Sequence, residues 1–324
     1  MFMYGKKFYI FIVFLYIMFD ASALQFGNGS KKSETTFVHV RDNVLSVSID
    51  NYTSFIIDGD YTLWGTGFQP YSRYGKQGTA ITDDFVIIYK NVLHFEDNIL
   101  KLINGDTYFI NNGLYNISSD FIKISHKYWL KNDGTLWFSN NNEVQDLKLL
   151  RTKIKNFYAN DYYTLILTES NELLIGGEYH IPGIKNDLDE FVKLADNVKT
   201  FDEGFYITLN DELYAFGYNG AGALGISNEQ TYSAPVLVMD GVKKVKSNQQ
   251  STLILKNDGT LYGCGGKTPN YCGELGFGNK LPVLKPELIM SDVKEISVGL
   301  CTTAIIKNDN SLWMCGANDF VGLM

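Results

Sequence analysis

Residues 251 to 265 read Ser251-Thr252-Leu253-Ile254-Leu255-Lys256-Asn257-Asp258-Gly259-Thr260-Leu261-Tyr262-Gly263-Cys264-Gly265. An apolar run meets three turn-forming residues and then resumes with Leu261 and Tyr262, which is the pattern of two strands folded about a tight turn. Nearly the same pattern recurs along the chain. With the residue after the turn as reference, the copies fall at Leu63, Tyr108, Leu136, Leu173, Leu213, Leu261 and Leu312, separated by 45, 28, 37, 40, 48 and 51 residues. The turns before them are built from Asn, Asp and Gly, as in Asn132-Asp133-Gly134, Asn210-Asp211-Glu212 and Asn308-Asp309-Asn310. Those residues tolerate positive φ or hydrogen-bond their own backbone, so Asp133, Gly134, Asp258 and Gly259 are read as structural turn residues. Strand-only repeats near 40 to 50 residues long are the mark of a propeller blade of four strands.

Two further strand signals complete each unit. After the fifth hairpin come Pro235-Val236-Leu237-Val238-Met239 and Val242-Lys243-Lys244-Val245-Lys246, and after the sixth come Pro286-Glu287-Leu288-Ile289-Met290 and Val293-Lys294-Glu295-Ile296. The seventh unit stops at Met324 without them, whereas Phe37 to Val47 supplies two such segments ahead of the first hairpin. Pairing N-terminal strands with the C-terminal blade would close the ring and remove its open edges. The expectation is an all-β, seven-bladed β-propeller. Residues 99 to 150 carry the pattern weakly, with a short separation of 28 and the asparagines Asn111, Asn112 and Asn140 to Asn142, so a six-bladed ring is the alternative.

The first 23 residues have the three parts of an export signal. Lys6 and Lys7 are the basic start, Phe8 to Phe19 is an apolar run, and Ala21-Ser22-Ala23 is a small-x-small cleavage site. An apolar run of 12 residues is shorter than the roughly 20 that span a bilayer. Residues 1–23 are therefore expected to be a signal peptide, 24–35 a linker and 36–324 one propeller domain, secreted, periplasmic or at the cell surface, with no stable membrane insertion after cleavage. The chain has 28 basic and 36 acidic residues; without Lys6, Lys7 and Asp20 it keeps 26 and 35, a net charge of −9. No basic cluster offsets that balance, which argues against a nucleic-acid partner. In an exported chain cysteines can pair, and Cys264 and Cys272 are near enough in sequence to close a small loop. Cys264 and Cys315 also occupy the same place in successive repeats, as small packed strand residues would.

The loop after the fifth hairpin, Phe216-Gly217-Tyr218-Asn219-Gly220-Ala221-Gly222-Ala223-Leu224-Gly225, resembles the repeat of the regulator of chromosome condensation family. Cys272-Gly273-Glu274-Leu275-Gly276-Phe277-Gly278 and Gly316-Ala317-Asn318 extend the resemblance over about residues 36 to 324. It implies a seven-bladed propeller closed by mixing terminal strands in one blade. The glycine-x-x-histidine that family units place before the hairpin is missing, with Gly299-Leu300-Cys301-Thr302 in the last unit and Asn248-Gln249-Gln250-Ser251 in the sixth. The founding member's roles, nucleotide exchange on a nuclear GTPase and chromatin binding, suit an exported acidic chain poorly. Secreted bacterial propellers of the family, among them an inhibitor that caps β-lactamases with one face of the ring, are the nearer likeness.

No reaction is marked. The histidines His39, His94, His126 and His180 occupy no recurring position and accompany no nucleophile motif. No CxxC pair with supporting histidine suggests a metal. No Lys-Ser or Lys-Thr follows Gly217 to Gly225, so that loop is no phosphate cradle, and Gly217 and Gly225 are read as backbone turns. No catalytic residue, metal or cofactor is assigned. What remains is loop surface, with Tyr71, Tyr74, Tyr218, Tyr232 and Tyr271 as binding residues, because tyrosine offers large contact area with a polar tip. The expectation is a monomeric, non-catalytic module that binds a protein partner through loops on one face. Carbohydrate binding or hydrolysis through the same aromatics is the alternative, and a guanine-nucleotide exchange role is the third reading.

Overall fold

In a computed structural model of the chain, the described residues are 33–49, 53–68, 81–96, 99–110, 114–125, 127–139, 146–160, 163–176, 191–248, 250–266 and 272–317. They form 28 strands in seven four-stranded antiparallel sheets. Six blades are continuous in sequence and cover residues 44–89, 92–117, 121–151, 154–195, 198–239 and 242–290. The seventh takes three strands from residues 293–316 and its fourth from the N-terminal strand Glu34–Arg41, which pairs with Leu312–Gly316. The closure expected from the sequence is therefore made by one strand. The next, Val44–Ile49, opens the first blade instead. The N-terminal strand begins at Glu34, two residues before the expected start of the domain at 36.

The weak region is spanned by two complete blades, 92–117 and 121–151, which removes the six-bladed alternative. Their strands are short, such as Leu114–Ile117 and Leu136–Phe138. The repeat position in the second blade is also one residue earlier than the sequence suggested. Thr107 faces Lys101 as Leu261 faces Leu255, so buried Thr107, not Tyr108, is the counterpart of the six leucines.

Seven apolar clusters hold the ring, one between each pair of neighbouring blades. Between the sixth and seventh blades, Leu253, Leu255 and Leu261 meet Val293, Ile296 and Ile305, and Phe37 of the N-terminal strand joins them. Fully burying a side chain of this size contributes roughly 1.5–3 kcal/mol, so each seam is a substantial part of the core. The hairpin turns share one backbone requirement. The last turn residue has positive φ in every blade, at Tyr61, Gly105, Gly134, Asn171, Asp211, Gly259 and Asn310, with values from 58° to 92°. This accounts for the recurrence of Asn, Asp and Gly there.

The carbonyl of that turn residue also fastens the next blade. It accepts the amide of the first inner-strand residue in six seams, from Val44 to Asn310, Val92 to Tyr61, Ile154 to Gly134, Val198 to Asn171, Val242 to Asp211 and Val293 to Gly259, at 2.8–3.0 Å. At the seam between the second and third blades, the Phe121 amide bonds locally to Ser118 instead, at 3.2 Å. The dilute sequence there thus corresponds to a local change in how the blades are joined, not to a missing strand.

Candidate functional sites: two faces and a central channel

The inner strands set the geometry. Each begins with a buried apolar residue, followed by an extra residue at a β-bulge, because the pairing register shifts between the first and third positions in all seven blades. The bulge residues are Leu45, Leu93, Ile122, Lys155, Lys199, Lys243 and Lys294, and all are exposed. After the bulge, side chains alternate between the blade seams and the ring axis. The third position is Ser46, His94, Lys123, Asn156, Thr200, Lys244 or Glu295, and the fifth is Ser48, Glu96, Ser125, Tyr158, Asp202, Lys246 or Ser297.

A central cavity of about 310 Å³ lies among these residues. Four lysines, Lys123, Lys155, Lys244 and Lys246, line it against two carboxylates, Glu96 and Asp202. Lys246 pairs with Asp202 at 3.3 Å, and Lys244 pairs with Glu295 of the next blade. Tyr158 closes part of the wall; burial, reinforced by the Glu203 charge, raises its pKa well above that of an exposed phenol. It is a neutral hydrogen-bonding group there.

On one face of the ring, the turn face, the hairpin turns surround the channel mouth. Their carboxylates are engaged by their own backbone. Asp133, Asp258 and Asp309 each accept the side-chain hydroxyl at 2.6 Å and the amide at 2.9 Å of Thr135, Thr260 or Ser311. These bonds lower all three pKa values. The acids are ionised turn formers, as the sequence suggested.

The long connections between third and outer strands gather on the opposite, loop face. In the fifth blade this connection is built around Asn219, which is fully buried. Its Oδ1 accepts the Leu224 amide at 2.9 Å, and its Nδ2 donates to the Asn228 carbonyl at 2.7 Å. Gly217 has a φ of 94°, which makes glycine the favoured residue. At Gly225, with φ of 71°, a Cβ would also lie 2.9 Å from Cys264 Sγ. Tyr218, 66% exposed, is carried on this fixed loop. Tyr232 is half-buried, packs beside the seam between the fifth and sixth blades, and accepts a hydrogen bond from Asn228 Nδ2 at 2.9 Å. Tyr71, Tyr74 and Tyr271 lie outside the described residues.

The loops also lap from blade to blade. The Cys264 thiol donates to the Ala223 carbonyl and the Cys315 thiol to the Glu274 carbonyl, both at 3.3 Å, so each loop lies against the next blade. The sixth-blade loop thereby reaches the N-terminal strand, where the Gly278 amide donates to the Thr35 carbonyl at 2.7 Å and Thr36 forms a bridge with Phe277. Glu274 in that loop is 3% exposed, and burial raises its carboxyl pKa.

One cysteine expectation is corrected here. Cys272 is bonded to Cys301, with their Cα atoms 5.4 Å apart, and not to Cys264. Cys264 is a buried thiol whose pKa burial pushes up to about 12, and Cys315 is likewise buried and free. The disulfide joins the sixth-blade loop to the loop after the inner strand of the seventh, a proximity that sequence distance does not reveal. The glycine loop and Tyr218 are visible in the sequence, whereas the bulge ring and the channel lysines carry no local signal, since they become a set only when seven inner strands face one axis. No group of three or more His, Cys, Asp or Glu residues suited to a metal occurs among the described residues.

No family model matches the chain. Among known proteins, it is 24% identical to an RCC1 repeat-containing protein of Dictyostelium discoideum over 94% of this chain and 60% of that one. It is 30% identical to the X-linked retinitis pigmentosa GTPase regulator of Canis lupus familiaris over 41% of this chain and 14% of the relative. The chain thus spans less than two thirds of either relative's length. Among solved structures, Prp20p from Saccharomyces cerevisiae, described with binding properties to Gsp1p and histones, superposes with a TM-score of 0.60 at 14% identity, over 86% of this chain and 83% of that one. Yeast RCC1 (Prp20) bound to Kap60 gives 0.63 at 12% identity, over 93% and 89%. These structures share the propeller fold.

Proposed function

We propose that this chain is an exported, monomeric RCC1-like propeller that binds another protein through its loop face and catalyses no reaction. The observation that carries this reading is Tyr218. A large aromatic is held 66% exposed on a loop whose backbone is fixed by the buried Asn219, which is an anchor that costs little ordering on binding. Export is supported by the signal-like residues 1–23 and by the Cys272–Cys301 disulfide, since such bonds persist in oxidising compartments. Protein binding is supported by analogy with Prp20p, a propeller of similar fold whose partners are proteins.

The test is co-purification of the mature chain with its host's surface and secreted proteins, comparing the native chain with Tyr218→Ala and with a Tyr71→Ala/Tyr74→Ala/Tyr271→Ala variant. A partner retained by the native chain and lost from these folded variants is the expected result. Undiminished capture by both variants would reject the loop face, and product release from a glycan panel would reject a non-catalytic module.

A further inference from the structure

The turn-face rim of the channel is divided into two halves. At one register position, the bulge of the inner strand, the fourth to seventh blades carry Lys155, Lys199, Lys243 and Lys294, while the first three carry Leu45, Leu93 and Ile122. The apolar residues are exposed, Leu93 by 58%, and Ile103 in the second-blade turn is 54% exposed. Lys199 is paired with Asp211. The other three lysines bond to neutral groups: Lys155 to Asn171 Oδ1 at 2.5 Å, Lys243 to the Lys294 carbonyl at 3.3 Å and Lys294 to Asn310 Oδ1 at 2.7 Å. Below them the cavity adds Lys123, Lys244 and Lys246, the last two paired with Glu295 and Asp202, together with Glu96, inside a chain whose formal net charge is −8. Ile122 and Lys155 belong both to the rim and to the cavity lining, so the two are continuous.

We propose that this mouth is a docking site for an acidic, leucine-bearing segment of a partner polypeptide, with its carboxylates on Lys155, Lys243 and Lys294 and its apolar side chains on Leu45, Leu93 and Ile122. Charge complementarity argues for a negative occupant, and the apolar half argues for one that also carries hydrocarbon side chains. The surrounding turn carboxylates Asp133, Asp258 and Asp309 narrow the choice further, Asp211 being paired with Lys199. They lie in the same ring of hairpin turns that Lys155 and Lys294 reach at Asn171 and Asn310, and would repel the closely spaced phosphates of a nucleic acid or the headgroups of an anionic membrane laid across the whole mouth, whereas a peptide with apolar residues between its carboxylates can set each carboxylate on a lysine. This site is on the face opposite Tyr218, so it stands or falls separately from the loop-face reading.

The test is fluorescence anisotropy of the full chain with a labelled peptide of repeated Glu-Glu-Leu, alongside a Lys-Lys-Leu peptide, a labelled oligothymidine and phosphatidylserine vesicles. Expected are preference for the Glu-Glu-Leu peptide, weaker binding as salt rises, about a tenfold or greater loss of affinity in Lys155→Glu/Lys243→Glu/Lys294→Glu, and a smaller loss in Leu93→Ser. Tyr218→Ala should bind the peptide as the native chain does. If the triple variant fails to fold, Lys243→Glu alone must still weaken binding measurably. Absence of peptide binding, equal binding by the folded charge variants, or preference for oligothymidine or vesicles overturns the proposal.

Discussion

Asp133, Asp258 and Asp309 sit in equivalent turns and accept equivalent pairs of hydrogen bonds, so their effect on stability should appear as a shared pH dependence. Each pKa is held below the ordinary 3.8, first by the bond from the Thr or Ser hydroxyl and then by the backbone bond. The unfolded chain then binds these protons more readily, and the stability they supply is complete above about pH 4 and lost as pH falls through the lowered folded values. Asp133→Asn/Asp258→Asn/Asp309→Asn should therefore melt below the native chain at neutral pH, with the gap narrowing as pH falls below 3.8; a gap that stays constant in thermal melts down that range would contradict the assignment. At this scale the sequence was readable wherever side-chain chemistry matched backbone need, as with Gly134 and Gly259 at positive φ. It was not readable at Thr107, where a buried threonine stands at the leucine position and the adjacent Tyr108 fits the hydrophobic strand pattern better.

Between elements, the informative contacts join different blades. The Cys272–Cys301 bond ties the sixth-blade loop, which touches the N-terminal strand, to the seventh blade, across a sequence separation of 29. Loop-closure entropy for that separation corresponds to about 3.6 kcal/mol. Cys272→Ser should lower stability in urea unfolding by about that amount, whereas Cys264→Ser should leave the disulfide intact. Peptide mapping without reduction should recover Cys272 linked to Cys301, and a Cys264–Cys272 peptide would refute the pairing. Sequence proximity favoured Cys264 because the chain alone does not reveal that Cys264 turns inward, toward the Ala223 carbonyl, while Cys272 and Cys301 meet on the loop face. The apolar alternation of the inner strands marks them as strands, but nothing in it marks the bulge after the first residue of each. The ring of lysines and apolar residues around the channel exists only through that bulge, so the sequence alone does not show it.

For the whole molecule, the decisive feature is closure. Repeat spacing alone led to seven blades and to an N-terminal contribution, since the C-terminal unit lacks strands that the N-terminal segment supplies. It did not show how many contacts one strand would make. Glu34–Arg41 pairs with Leu312–Gly316, contributes Phe37 to a seam, receives the sixth-blade loop at Thr35 and Thr36, and sends Arg41 to Asp58 of the first blade at 3.5 Å. Without it, the seventh blade would expose an open edge, and the fastening of the sixth-blade loop would lose its support. The direct test is to remove residues 34–41 from the chain and follow thermal unfolding by circular dichroism together with its size in solution. A closed ring predicts loss of the cooperative transition and aggregation, and a monomer that melts like the native chain would contradict it.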